Sequence, residues 1–141
     1  MFQGKYILIA EDDEDDQFLI KLAFKEISNE MNLVFVENGI ELIHFFKKIE
    51  DGLMGLPALL VVDLNMPKKN GREALRELSQ KNYYRQFPKV IFSTTGNELE
   101  RSRCEELGIN DYFVKPSDYN SLLDIVKEFQ KMAINNLDQN W

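Results

Sequence analysis

Four short apolar runs in this chain each stop at side chains that can do chemistry. Ile7-Leu8-Ile9-Ala10 stops at Glu11-Asp12-Asp13, and Leu59-Leu60-Val61-Val62 stops at Asp63. Val90-Ile91-Phe92 stops at Ser93-Thr94, and Tyr112-Phe113-Val114 at Lys115-Pro116. Apolar runs without alternation are the pattern of strands buried on both faces, which means a parallel sheet covered by helices. A carboxylate, hydroxyl or ammonium is costly inside such a layer, so each marks the C-terminal edge of a strand. In an open parallel sheet, ligands bind at that edge.

The rest of the chain fits this frame. Strands are predicted at Tyr6–Ala10, Leu33–Val36, Leu59–Asp63, Val90–Ser93 and Tyr112–Val114. Helices fill the gaps. The first spans about Asp15–Ile27, capped by Asp15 or Asp16, with Phe18, Leu22, Ala23, Phe24 and Ile27 as its apolar face. The second spans about Ile40–Ile49 after the turn Asn38-Gly39, and the third about Arg72–Gln80. The fourth spans about Glu98–Leu107 and ends at Gly108. The fifth spans about Tyr119–Ala133, capped by Ser117 or Asp118. Five strands alternating with five helices define an α/β doubly wound sheet. Right-handed crossovers gather all strand C-termini at one edge, so Asp12, Asp63, Ser93 and Lys115 converge there. The expected layout is one domain over 1–134, a polar tail over 135–141 that frays, and no room for an output domain.

Composition excludes several classes. A net charge of −7 argues against nucleic acid held on a basic face. No apolar run approaches a membrane span. The N-terminus lacks a signal-peptide layout, so a cytoplasmic location is expected. Cys104 is the single cysteine, which rules out an intrachain disulfide; it reads as a structural thiol. His44, the single histidine, reads as a surface or core-edge residue, and Phe18, Phe24, Phe45 and Phe46 as core.

Carboxylates, a hydroxyl and an ammonium at four strand ends read as a metal-assisted phosphoryl site. The unbroken acidic run Glu11–Asp16 favours a bound divalent cation through mutual repulsion. These residues, in this order, resemble the receiver domain of two-component response regulators, with a flavodoxin-like fold. The resemblance covers about Lys5 to Ala133. It rests on Glu11-Asp12, on Asp63 with Met66-Pro67, on Gly71, on Ser93-Thr94 and on Lys115-Pro116. The spacings, 30 residues from Asp63 to Ser93 and 22 from Ser93 to Lys115, are typical of that family.

The resemblance implies roles. Asp63 is the phospho-acceptor, forming an acyl phosphate. Mg²⁺ is held by Glu11 (through water), Asp12, Asp63 and the Asn65 carbonyl. Ser93, Thr94 and Lys115 bind the phosphoryl group, and Ser93 and Tyr112 form the switch, with Tyr112 turning inward on activation. Asn65 and Thr95 tune acyl-phosphate hydrolysis. Asp13 is a reserve ligand. Ser93 stands where threonine is commoner, and Glu11-Asp12 where two aspartates are. Pro116 favours a fixed peptide after Lys115, with cis open to it. Extra length around Ile49–Pro57 and Phe87-Pro88 before the fourth strand look like stand-alone regulators partnered with bacterial phytochromes. The implied donor is a sensor histidine kinase, phytochrome-type among the options, or a phosphotransfer protein. Mixed charge on the fourth and fifth helices suits either a salt-bridged homodimer on the face of the fourth helix, fifth strand and fifth helix or an ordinary solvated helix surface.

The implied function is a signalling switch that assists its own phosphorylation and dephosphorylation, rather than an enzyme. Two other readings compete. A haloacid-dehalogenase-type phosphatase needs an aspartate two residues after its nucleophile, and here that position is Asn65. A phosphorylation-independent receiver-like module usually lacks the acceptor or the lysine, and both are present.

Overall fold

The computed structural model describes residues 5–27 and 31–139. In chain order the elements are β1 (Tyr6–Ala10), α1 (Glu14–Glu26), β2 (Asn32–Val36), α2 (Gly39–Glu50), β3 (Leu59–Val62), α3 (Gly71–Leu78), a 3-10 turn (Tyr84–Gln86), β4 (Lys89–Ser93), α4 (Glu98–Glu105), β5 (Asp111–Val114) and α5 (Tyr119–Gln139). The strands form one parallel sheet in the order β2-β1-β3-β4-β5. The strand order reverses direction between β1 and β3. That is where the ends of two neighbouring strands lead away to opposite faces and leave a crevice.

Alternate strand residues face two separate cores. Leu8, Ala10, Leu60, Val62 and Ile91 pack with α2 and α3, including Phe46 and Leu75. Ile7, Ile9, Leu59, Val61 and Val90 pack with α1 and α5, including Phe24, Val126 and Phe129. β1, β3 and β4 are buried along their whole length, as their continuous apolar runs predict. No helix among the described residues is long and apolar enough to cross a membrane.

Several expectations need correction. Asp13, not Asp15 or Asp16, caps α1: its carboxylate accepts the N–H groups of Asp15 at 2.8 Å and Asp16 at 3.2 Å. The buried face of α1 is Ile20, Ala23 and Phe24, whereas Phe18 is 63% exposed and Leu22 43%. Ile20, Ala23, Phe24 and Ile27 follow the i, i+3, i+4, i+7 rule. Phe18 and Leu22 fall on the adjoining face, away from the sheet. Asp118 caps α5 by accepting the Ser121 N–H at 2.9 Å. That helix does not stop at Ala133 but runs to Gln139, so the boundary drawn at 134 falls inside it. Leu137 is buried in the α1/α5 core, and Asn136 Nδ2 donates to the Ala58 carbonyl at 3.2 Å, which holds the added turn. No cis peptide occurs among the described residues, so Lys115–Pro116 is trans. Residues 140–141, at the end of the expected tail, lie outside the described residues. Cys104 is buried beside α3, and His44 is exposed, as read from the sequence.

One buried charge lies far from the strand C-termini. Lys89 opens β4 and is 3% exposed. Its ammonium donates to the Tyr84 carbonyl and sits over the rings of Tyr84 and Phe87, 4.0 and 4.5 Å from their centroids. Burial pulls its pKa down to about 8. The unfolded lysine keeps its proton to about 10.4. Between these values the unfolded state binds more protons, so this group makes stability rise with pH. The Cys104 thiol, pushed up to about 11 by burial, acts in the opposite sense above pH 9. The difference in urea midpoint between wild type and Lys89→Met isolates the lysine. It is expected to move in favour of wild type by on the order of 1–2 kcal/mol from pH 8 to 10. A constant difference across that range would mean that Lys89 titrates as it does in water.

Candidate functional site

The β1/β3 crevice collects the charged strand ends. β1 delivers Glu11, 1% exposed, and β3 delivers Asp63, 5% exposed. β5 delivers Lys115, whose Nζ lies 2.7 Å from Glu11 Oε1 and 2.9 Å from Asp63 Oδ2. The second oxygen of Asp63, Oδ1, accepts the Asn65 N–H at 3.1 Å. Asp63 is therefore held at both oxygens.

Backbone packing sets this geometry. Gly71 begins α3 and donates its N–H to the Leu64 carbonyl at 3.1 Å. A Cβ there would lie 2.2 Å from the Asp63 carbonyl oxygen, so only glycine lets α3 start this close to the acceptor. Asn70 and Glu73 form a reciprocal capping box that fixes the same turn.

The electrostatics follow from burial. Burial pushes the Glu11 carboxyl up to about 7, helped by the charge of Asp63 and opposed by Lys115. Burial alone would pull the Lys115 ammonium down, but hydrogen bonds to Asp16, Glu11 and Asp63 hold it above the usual lysine range. The donor set suits a hard divalent cation. One oxygen each of Glu11, Asp12 and Asp63 lie within 4.8 Å of one another. Two of these carboxylates are buried, so a cation there would offset a desolvation cost that one ammonium leaves partly unmet. Asp13 is outside this group because its side chain caps α1.

Ser93 ends β4 beside β3 and is fully buried; its Oγ accepts the Thr95 N–H at 3.5 Å. Thr94 is exposed. Among the described residues neither hydroxyl bonds to Asp63 or Lys115. Asn65 and Thr95 line a cleft of about 170 Å³ at this edge, with Arg72, Glu100 and Arg103. Tyr112 is already inward: it is 9% exposed, and its hydroxyl donates to the Thr95 carbonyl. Arg101 of α4 covers its ring at 4.9 Å.

Asp16 is the residue that sequence reasoning missed. Its Oδ2 lies 2.8 Å from Lys115 Nζ, making it the third carboxylate on that ammonium. Within an unbroken acidic run no spacing rule singles it out. Its place follows only from the start of α1, which sets Asp16 in the first helical turn beside the end of β5.

Comparison with known proteins agrees with the geometry. The sequence profile of the response regulator receiver domain matches residues 7–127. The chain is 31% identical over 124 residues to response regulator Rcp1 of Synechocystis sp., covering 87% of this chain and 84% of Rcp1. Its fold is similar to the Mn²⁺-bound form of Rcp1, with TM-score 0.79, 30% identity, and 90% of this chain and 92% of that one covered. It is similar too to the phosphorylated cyanobacterial phytochrome response regulator RcpA, with TM-score 0.83, 30% identity, and coverage of 93% and 94%. With an acidic pair after β1, a carboxylate after β3 and a lysine after β5 meeting at one sheet edge, this chain belongs to the response regulator receiver domain family, the phosphoryl-accepting switches of two-component signalling.

Proposed function

We propose that Asp63 is the phosphoryl acceptor and that its reaction depends on Mg²⁺. The observation that carries this reading is the ion pair of Asp63 with Lys115 at 2.9 Å, inside a group of three carboxylates. An Asp63 oxygen attacks phosphorus and forms an O–P bond. The bond from phosphorus to the donor breaks, and its electron pair leaves with the donor. The attacking carboxylate and the phosphoryl group are both anionic, so the barrier is largely electrostatic. Lys115 lowers it with an ammonium already at the acceptor. Ser93 supplies a hydroxyl from the end of β4, with Thr94 next to it. Glu11, Asp12, Asp63 and the Asn65 carbonyl would hold Mg²⁺, which supplies charge neutralisation between acceptor and phosphoryl oxygens.

Signalling is a population shift. A phosphoryl group that engages Ser93 draws in the β4–α4 loop, to which the Tyr112 hydroxyl is bonded. In this reading Tyr112 is the latch on that loop, and the inward ring is the state phosphorylation favours. Leu99 of α4, 63% exposed, and Val114 of β5, 38% exposed, then lie on the face offered to a target or a second copy. The donor is a sensor histidine kinase or phosphotransfer protein, with a phytochrome-type kinase favoured by the likeness to RcpA. A cytoplasmic location goes with that partnership. Asn65 and Thr95 carry no general base, so hydrolysis of the acyl phosphate relies on water alone.

Intact-protein mass after incubation with acetyl phosphate tests the acceptor. Wild type is expected to gain one phosphoryl group with Mg²⁺ and none after chelation, and Asp63→Ala none in either condition. An unchanged gain in Asp63→Ala would move the acceptor elsewhere.

A further inference from the structure

We propose that Asp16 is a positioning residue that competes with the phosphoryl group for the Lys115 ammonium, and so restrains the phosphorylation of Asp63. This inference rests on Asp63 as the acceptor. An ammonium has three N–H donors. Three carboxylates surround Lys115 Nζ, with Glu11 at 2.7 Å, Asp16 at 2.8 Å and Asp63 at 2.9 Å. Every donor is thus committed before a phosphoryl group arrives. A phosphoryl oxygen needs one of them, and one carboxylate must yield.

The three are not equivalent. Asp63 gives up its own charge when its oxygen bonds to phosphorus. Glu11 belongs with Asp12 and Asp63 to the group that can hold a cation, and Asp16 does not. Asp16 alone comes from a helix surface, with its side chain 34% exposed against 2% for Glu11 and 7% for Asp63. Its backbone is fixed by the Asp13 cap, so its carboxylate stays beside Lys115. It is the one anion whose hold on the ammonium nothing else in the reaction relieves. Asp16 therefore occupies an N–H of Lys115 that a phosphoryl oxygen would otherwise accept.

The test measures the rate of phosphorylation by acetyl phosphate with Mg²⁺ for wild type, Asp16→Asn and Asp15→Asn, each also in a Lys115→Ala background. Asp15 carries the same charge on the same exposed turn and makes no ion pair among the described residues. Asp16→Asn is expected to raise the rate about three- to fivefold, the range for a partly exposed ion pair, and Asp16→Ala to match it. Asp15→Asn is expected to have little effect, and the Asp16 gain to vanish without Lys115. A second readout uses metal-free protein: acylation of Lys115 by acetic anhydride, mapped by peptide mass, rises severalfold in Asp16→Asn. An unchanged or slower rate in Asp16→Asn overturns the proposal. So does an equal gain in Asp15→Asn, or one that persists in Lys115→Ala, since either is a long-range charge effect. A wild type that gains no phosphoryl group on Asp63 fails the acceptor reading and takes this inference with it. A normally phosphorylated wild type with an unresponsive Asp16→Asn overturns this inference alone.

Discussion

Lys115→Ala is expected to slow phosphorylation of Asp63 by about a hundredfold or more, the scale for removing a preorganised charge from a reacting centre. It is also expected to destabilise the metal-free protein more at pH 8 than at pH 6. The ammonium is the cation that Glu11 and Asp63 share in this structure, and both carboxylates are buried. Glu11 is already pushed up to about 7 by burial, against the pull of Lys115. Removing that pull raises it further. A carboxyl raised in the folded state contributes stability below its unfolded pKa and loses it as pH rises through the folded value. Wild type completes that loss near pH 7, whereas the variant goes on losing stability above it. The expected deficit is about 3 kcal/mol at pH 8 and smaller at pH 6, read from urea midpoints. Equal deficits at the two pH values would mean that the buried carboxylates do not depend on the lysine.

The second large effect is steric. Gly71→Ala is expected to cost about 3 kcal/mol, at the upper end for overpacking a site that cannot give way, and to slow phosphorylation as well. The new Cβ would meet the Asp63 carbonyl oxygen at 2.2 Å and Val62 Cγ1 at 2.7 Å. Val62 ends β3, which is hydrogen-bonded on each side, and Asp63 follows it directly with its N–H on the Ala10 carbonyl, so neither can retreat. The start of α3 must move instead, and the residues after Asp63 move with it. Gly52→Ala is the control. Gly52 has φ +79° but open space around it, so that change is expected to cost only about 1 kcal/mol and to leave phosphorylation alone. Similar costs at the two positions would show that backbone strain, not the close approach of α3, is what glycine relieves.

The strand edges were legible because burial and charge are incompatible. Where Val62 gives way to Asp63 and Ala10 to Glu11, hydropathy changes within one residue, and the sheet ends within one residue of the change. Helix faces were less legible. α1 carries apolar residues around much of its circumference, and only docking against the sheet decides that Phe24 is covered and Phe18 is not. The acidic run could not be sorted from sequence for a similar reason. Its members are chemically alike, and geometry alone gives Asp13 to the cap, Asp12 to the carboxylate group and Asp16 to Lys115. The length of α5 was misjudged because Asn135 and Asn136 look like a polar tail. The side-chain bond of Asn136 to the Ala58 carbonyl and the burial of Leu137 extend the helix past them. The position of Tyr112 was likewise beyond reach, since its side chain is held by a backbone carbonyl from a different loop.

The most direct test of the account is to locate the acyl phosphate itself. Protein treated with acetyl phosphate and Mg²⁺ is reduced with borohydride, which converts an aspartyl phosphate to homoserine, and the chain is digested and sequenced by mass spectrometry. The account predicts homoserine at position 63 and an unmodified acidic run from Glu11 to Asp16. Homoserine within that run, or its absence throughout a protein that had gained a phosphoryl group, would contradict it.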